Sequence, residues 1–177
     1  MIAFSRDMLV AGVVIVLAGF LAWYGEEQAN VAPLPAQVIS GYGEILDGDT
    51  IRLQGKRIRL VGMDAPETEQ YCRKDGQEFA CGRLSTAHLA RLVNNQPVHC
   101  KWLDYDKYNR ILGSCFAGAQ DLNQTMVFDG WAVSYDDYPK DERFARQQKR
   151  GMWQWDFERP HVWRRANLRQ VSGEGIK

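Results

Sequence analysis

Asp49, Arg59, Asp64 and Glu67 fall within one stretch, GEILDGDTIRLQGKRIRLVGMDAPE, running from Gly43 to Glu67. Three carboxylates and one guanidinium at fixed intervals suit a hard cation beside a phosphate. Phosphodiesters resist hydrolysis because their charge repels nucleophiles and the transition state gathers more charge on oxygen. A catalyst therefore needs a cation, guanidinium groups aimed at the phosphate, and a group that orients or deprotonates water. Asp49 and Asp64 are oxygen ligands suited to a flexible, hydrated ion such as Ca²⁺. Glu67, three residues beyond Asp64 and past Pro66, is placed to act on a water. Arg59 lies five residues before Asp64, and Arg110, after Asp106-Lys107-Tyr108, offers a second guanidinium.

Each residue alone has a plainer explanation. Asp47-Gly48-Asp49 is a common hairpin turn, Arg59 an edge-strand charge, and Asp64-Ala65-Pro66-Glu67 a helix start with acids complementing the dipole. Only the ordered set argues for chemistry. His88, His99 and His161 lie outside it in the sequence and carry no expected catalytic role.

The elements that must position this set can be read from pattern. Gln37–Leu46, Thr50–Gln54 and Lys56–Met63 are short β-branched or alternating runs, separated by turns at Asp47-Gly48 and Gln54-Gly55. Gln77–Val93 carries a helical period through Phe79, Leu84, Ala87, His88 and Leu92. Pro97–Leu103 and Arg110–Phe116 form a hairpin pattern around DYDKYN. Asp121 with Gln124 resembles a capping box opening a helix that ends at Gly130, and a last helix runs from about Lys140 to Arg150. Three strands, a helix, two strands and then helices predict a mainly β domain: a five-stranded Greek-key barrel with about three packed helices. The final residues, SGEGIK, read as a frayed tail.

The 177 residues fit one domain with an extension, and a hydrophobic content of 45% excludes global disorder. The formal net charge is zero, yet nine Lys/Arg face four Asp/Glu between Lys140 and Arg169. That excess either steers a polyanion or solvates a helix face. Trp153 is expected to cap the core, while Trp155 and Trp163 with neighbouring arginines have packing and surface readings both open. Met8–Tyr24, MLVAGVVIVLAGFLAWY, is uncharged, preceded by Arg6 and followed by Glu26 and Glu27. It reads as an uncleaved inner-membrane anchor with the remainder in the periplasm, the rival being a cleaved signal peptide. Residues 1–25 are thus the anchor, 26–36 a linker with Pro33 and Pro35, 37–156 the domain and 157–177 a C-terminal extension. Cys72, Cys81, Cys100 and Cys115 lack CxxC spacing, so pairing in an oxidising compartment is favoured over zinc. The preferred connectivity is Cys72–Cys81 and Cys100–Cys115, with free thiols as the alternative.

DGDTIRL, RIRLVGMDAPE, DKYNR, LNQTMVFDGWA and GMW, in that order, resemble the staphylococcal nuclease (thermonuclease) family over roughly residues 37–156. The resemblance implies an OB-fold and a Ca²⁺-dependent hydrolase acting on DNA and RNA, releasing short 3′-phosphorylated products; a monomer is the expected state, though nothing in the residues fixes it. It assigns calcium to the carboxylates of Asp49 and Asp64 and the backbone carbonyl of Ala65. It makes Arg59 and Arg110 the phosphate clamp and Glu67 the general base or water-orienting group. Lys107 and Tyr108 match terminal-phosphate contacts, and Tyr135 matches a base-side tyrosine across a gap. Two departures stand out: Ala65 where the prototype has Thr, and a cysteine-bracketed loop, YCRKDGQEFAC, in place of a lysine-rich one. Some relatives with an N-terminal hydrophobic segment and paired cysteines are associated with succinoglycan gene clusters. The competing functions are therefore a non-catalytic OB-fold binding module and an accessory protein of exopolysaccharide assembly.

Overall fold

The computed structural model describes residues 36–173. The expected anchor, most of the linker and the last residues of the tail lie outside them. Among the described residues no helix is long and apolar enough to cross a membrane.

The first expected strand is divided. Gln37–Gly41 (β1) and Gly43–Ile45 (β2) are separated only by Tyr42, and each pairs with a different neighbour. β1 runs antiparallel to Val98–Tyr105 (β8), and β2 antiparallel to Thr50–Leu53 (β3). With Lys56–Leu60 as β4 and Ile111–Ala117 as β9, the order β1-β8-β9-β4-β3-β2 begins and ends on one bent stretch of chain, which curls the sheet around its core. β3 and Lys56–Leu60 (β4) form a hairpin whose turn residues, Gln54 and Gly55, both have positive φ (50° and 77°). That is the geometry two-residue hairpin loops favour. β4 pairs in parallel with Ile111–Ala117 (β9). The sheet counts seven strands because the bent strand is split and the two-residue strand Gln120–Asp121 (β10) adds to β9. The architecture is mainly β, with a curled sheet and several helices, consistent with the OB-fold expected.

Alternation decides what lies inside. In β9, Ile111, Gly113, Cys115 and Ala117 are buried; in β8, Val98, Cys100 and Trp102 are. With Ile51, Leu53, Ile58 and Leu60 they form the barrel core, closed by Leu89, Leu122 and Met126 from two helices. Those helices are Cys81–Val93 (α1) and Leu122–Phe128 (α2). Asp121 caps α2 by accepting from the Gln124 N–H at 3.0 Å. The third helix, Pro139–Gln147 (α3), starts and stops slightly earlier than its pattern implied.

Two expectations need correction. The helix expected from Gln77 begins only at Cys81, because Cys72–Lys74 (β6) and Gln77–Phe79 (β7) form a small hairpin instead. Gln77, Glu78 and Phe79 are held extended by pairing with Lys74, Arg73 and Cys72, Ala80 with ψ 67° is still outside the helical region, and the Arg73 and Glu78 side chains pair across the hairpin. The C-terminal extension, to which no element was assigned, carries a fourth helix, Pro160–Gly173 (α4). The cysteines pair as preferred, Cys72 with Cys81 and Cys100 with Cys115. The first disulfide sits in a second core with Val133 and Met152, walled by Trp153, Trp155 and Phe157. Trp155 stacks on Phe79 at 4.7 Å, so packing rather than a surface role describes it.

Candidate active site

Each member of the site is placed by strand register or a short turn. Asp49 ends a tight turn in which its own N–H donates to Asp47 Oδ1 at 2.9 Å. Gly48 leaves no room for a side chain there: a Cβ would lie 2.3 Å from Ser85 Oγ and 2.7 Å from Ala65 Cβ. Thr50 faces Arg59 across the β3–β4 hairpin, which sets the guanidinium beside Asp49. Arg59 alternates with buried Ile58 and Leu60, so its side chain leaves the opposite face of the strand. Asp64 lies on Met63–Asp64 (β5), paired with Val133–Ser134 (β11).

The guanidinium of Arg59 bridges the two aspartates. Nη1 donates to Asp49 Oδ2 at 2.5 Å and Nη2 to Asp64 Oδ1 at 2.8 Å. Both acids are buried, with relative exposures of 5% and 0%. Burial pushes the Asp49 carboxyl up to about 7, with Asp47 and Asp64 adding to the push, against the pull of Arg59 and the Thr50 hydroxyl. The Arg59 guanidinium shifts upward: desolvation opposes its charge, but Asp49 and Asp64 outweigh it.

Glu67 and its surroundings are held from behind. The Gln70 N–H donates to Glu67 O (2.8 Å), and the Gly82 N–H at the head of α1 donates to Gln70 O (3.1 Å). A Cβ on Gly82 would meet Glu67 O at 1.7 Å, so only glycine allows that approach. The Cys72–Cys81 disulfide joins the loop to the same helix.

Arg110 comes from the opposite hairpin. Asp106 folds that turn: its Oδ1 accepts from the Tyr108 and Arg110 N–H groups at 2.9 Å, and its Oδ2 from Arg110 Nε at 2.8 Å. Desolvation pushes the Asp106 carboxyl up, but these bonds outweigh it and hold the group below its usual range. Lys107 Nζ lies 5.0 Å from the Tyr108 ring centroid and the Arg110 guanidinium 5.6 Å.

One open cleft of about 720 Å³ joins these parts, lined by Arg57, Arg59, Glu67, Lys107, Tyr108, Arg110, Tyr135, His161, Arg164 and Arg165. All the expected phosphate and substrate residues border it, and Asp49 and Asp64 sit behind Arg59. Tyr135 is tied in by its N–H, which donates to Gly62 O at 2.9 Å. Ala65 is buried next to Asp49, its N–H 3.5 Å from Asp49 Oδ2.

The sequence missed the fourth wall. Arg164 on α4 donates from Nη2 to both Asp64 oxygens, at 2.9 and 3.0 Å, and from Nη1 to Glu67 Oε1 at 2.6 Å. Desolvation works against its charge, but Glu67 and Asp64 prevail and its proton is held more firmly than usual. His161, thought remote, also borders the cleft, whereas His88 pairs with Asp129 and His99 with Ser40. The usable signal was the spacing of His161, Arg164 and Arg165, which puts all three on one helical face.

Among the described residues, no three His, Cys, Asp or Glu side chains converge as a metal cage. Asp49 and Asp64 nevertheless lie within one guanidinium's span, buried and mutually repelling. The donor set is all oxygen and short of positive charge, which fits a hydrated hard cation.

The model of the family described as staphylococcal nuclease homologue matches residues 57–155. The chain belongs to that family. It thus carries a nuclease domain, that of a hydrolase. It is 39% identical over 132 residues to an uncharacterized endonuclease of Escherichia coli, covering 68% of this chain and 80% of that protein. It is 32% identical over 180 residues to a micrococcal nuclease of Shigella flexneri, covering 89% and 91%. The succinoglycan biosynthesis protein ExoI of Rhizobium meliloti (strain 1021) is 34% identical over 126 residues, covering 67% of this chain and 66% of its own length. The family match stops before Arg164.

Proposed function

We propose that the chain is a Ca²⁺-dependent nuclease that hydrolyses DNA and RNA to short 3′-phosphorylated products. The observation that carries this reading is the Asp49–Arg59–Asp64 bridge at the base of a cleft whose rim holds Glu67, Arg110, Lys107 and Tyr108. Asp49, Asp64 and the Ala65 carbonyl would hold the cation, which supplies charge for the phosphate oxygens when bound. Arg59 and Arg110 orient the phosphate through paired N–H donors. Glu67 takes a proton from a water whose oxygen attacks phosphorus. The bond to the 5′ oxygen breaks and that oxygen takes a proton from solvent water, so phosphate stays on the 3′ side and the other product ends in a 5′-hydroxyl, while Glu67 later returns its proton to solvent. Lys107 and Tyr108 hold a neighbouring phosphate, and Tyr135 packs on a base.

The apolar run from Met8 to Tyr24 and the two cystine pairs support export, with the domain facing the periplasm from an inner-membrane anchor or released after cleavage. The test is cleavage of single-stranded DNA and RNA with millimolar Ca²⁺ or EGTA, on wild type, Arg59→Ala and Glu67→Gln. Cleavage abolished by EGTA and lowered at least a hundredfold in Glu67→Gln is expected. Folded wild type that leaves both substrates intact in Ca²⁺ defeats the proposal. The name of the Rhizobium relative keeps an exopolysaccharide role in view. Rescue of a deletion phenotype by Glu67→Gln would favour that role over catalysis.

A further inference from the structure

Three contacts fix the approach of α4 before it reaches the cleft. Arg73 and Asp156 exchange both backbone hydrogen bonds at 2.8 Å. Gln70 Nε2 donates to Glu158 O at 2.6 Å. Arg159 pairs with Glu142, whose other carboxylate oxygen accepts the Ser134 N–H at 2.7 Å. The chain entering the helix is thus anchored by groups outside the cleft, independently of Arg164. Its guanidinium instead spans Asp64 and Glu67 and keeps about a third of its side chain exposed.

Asp64 Oδ1 already accepts from both Arg59 and Arg164 and Oδ2 from Arg164, so a cation drawn to this carboxylate competes with Arg164 for its lone pairs. Charge favours exchange. Asp49, Asp64 and Glu67 against Arg59 and Arg164 leave one formal negative charge. With all three acids ionised, a divalent cation turns the charge of these five groups positive, a sign that draws a phosphodiester in. A guanidinium freed from a carboxylate presents the same fork to two phosphate oxygens.

Resting on the nuclease reading above, we propose that Arg164 is a further phosphate-binding residue of the centre. It is parked on Asp64 and Glu67, and transfers to the phosphate when a divalent cation takes Asp64. α4 is then a working wall of the active site, with Arg165 and His161 facing the flanking strand.

Two measurements test this: calorimetric titration with Ca²⁺ in the absence of nucleic acid, and steady-state cleavage of single-stranded DNA at saturating Ca²⁺. In Arg164→Gln the cation loses a competitor, so its Kd is expected to fall several-fold. The same variant loses a transition-state contact, so kcat/KM is expected to fall on the order of a hundredfold. A residue that merely braces the fold would weaken both functions together. Unchanged or weaker Ca²⁺ binding overturns the proposal, and so does unchanged kcat/KM. If Arg164→Gln melts far below wild type, Arg164→Lys is read instead: it keeps the charge without the fork, and both shifts are expected in the same directions at smaller size. Wild type that neither binds Ca²⁺ nor cleaves sinks the nuclease reading itself. An active wild type matched by Arg164→Gln sinks only the role of Arg164.

Discussion

Desolvation at the base of the cleft pushes the Asp49 carboxyl from 3.8 to about 7, which has two consequences of opposite sign. Between these values the native chain holds a proton that the unfolded chain has released. This group's contribution to stability is therefore greatest at low pH and declines as pH rises toward 7. A cation needs the ionised form, so its binding should strengthen by up to about tenfold per pH unit up to 7 and release a proton near pH 6. Calorimetry in buffers of different ionisation enthalpy measures that proton directly; a titration heat independent of buffer would contradict the assignment. Arg59→Ala strips a shared partner from two buried acids. It should lower stability by about 3–5 kcal/mol without a cation, less when Ca²⁺ is present. Chemical denaturation with and without EGTA reads the difference.

At the scale of elements, the Cys72–Phe79 hairpin and the head of α1 act together to place Glu67. Gly82→Ala forces a Cβ into Glu67 O, so the loop or the helix must shift. Activity is expected to fall at least tenfold, out of proportion to any drop in melting temperature, as kinetics and calorimetry on one preparation will show. Replacing Cys72 and Cys81 with serine removes a closure of nine residues' separation, worth about 2.5 kcal/mol in the chain-entropy account. Its denaturation midpoint should fall accordingly. The hairpin escaped the sequence reading because strands of three residues carry too little alternation to register. Phe79 and Leu84 fitted a helical period that only the pairing of Gln77–Phe79 with Cys72–Lys74 overrides. The parent barrel was legible for the converse reason. Ile51, Leu53, Ile58 and Leu60 alternate cleanly between turns that glycine marks. The carboxylates and Arg59 were legible because they lie within two hairpins of one another. Arg164 was not, since its partners Asp64 and Glu67 lie about a hundred residues earlier and no apolar period flags the helix face that delivers it.

For the whole molecule, zero net charge conceals a sharp division. Arg57, Arg59, Lys107, Arg110, Arg164 and Arg165 line one cleft against a single glutamate. Attraction to a polyanion is therefore local. Oligonucleotide KM should rise with salt, with a logarithmic slope of about 0.7 for each phosphate neutralised on a single strand. Arg165→Gln should reduce that slope by about one such increment. A slope unchanged by it would place Arg165 off the path of the strand. The Arg59 bridge carries a different implication, for how the protein matures. Because the fold supplies its own counter-ions to Asp49 and Asp64, it needs no metal to form, and chelation should leave it native. If calcium is the cation, as proposed, it acts only through mass action: at a hundred times its Kd it adds about 2.7 kcal/mol, whatever route the chain took to fold. Under the calcium-dependent reading proposed above, such an enzyme is made and stored empty and armed only when calcium reaches it.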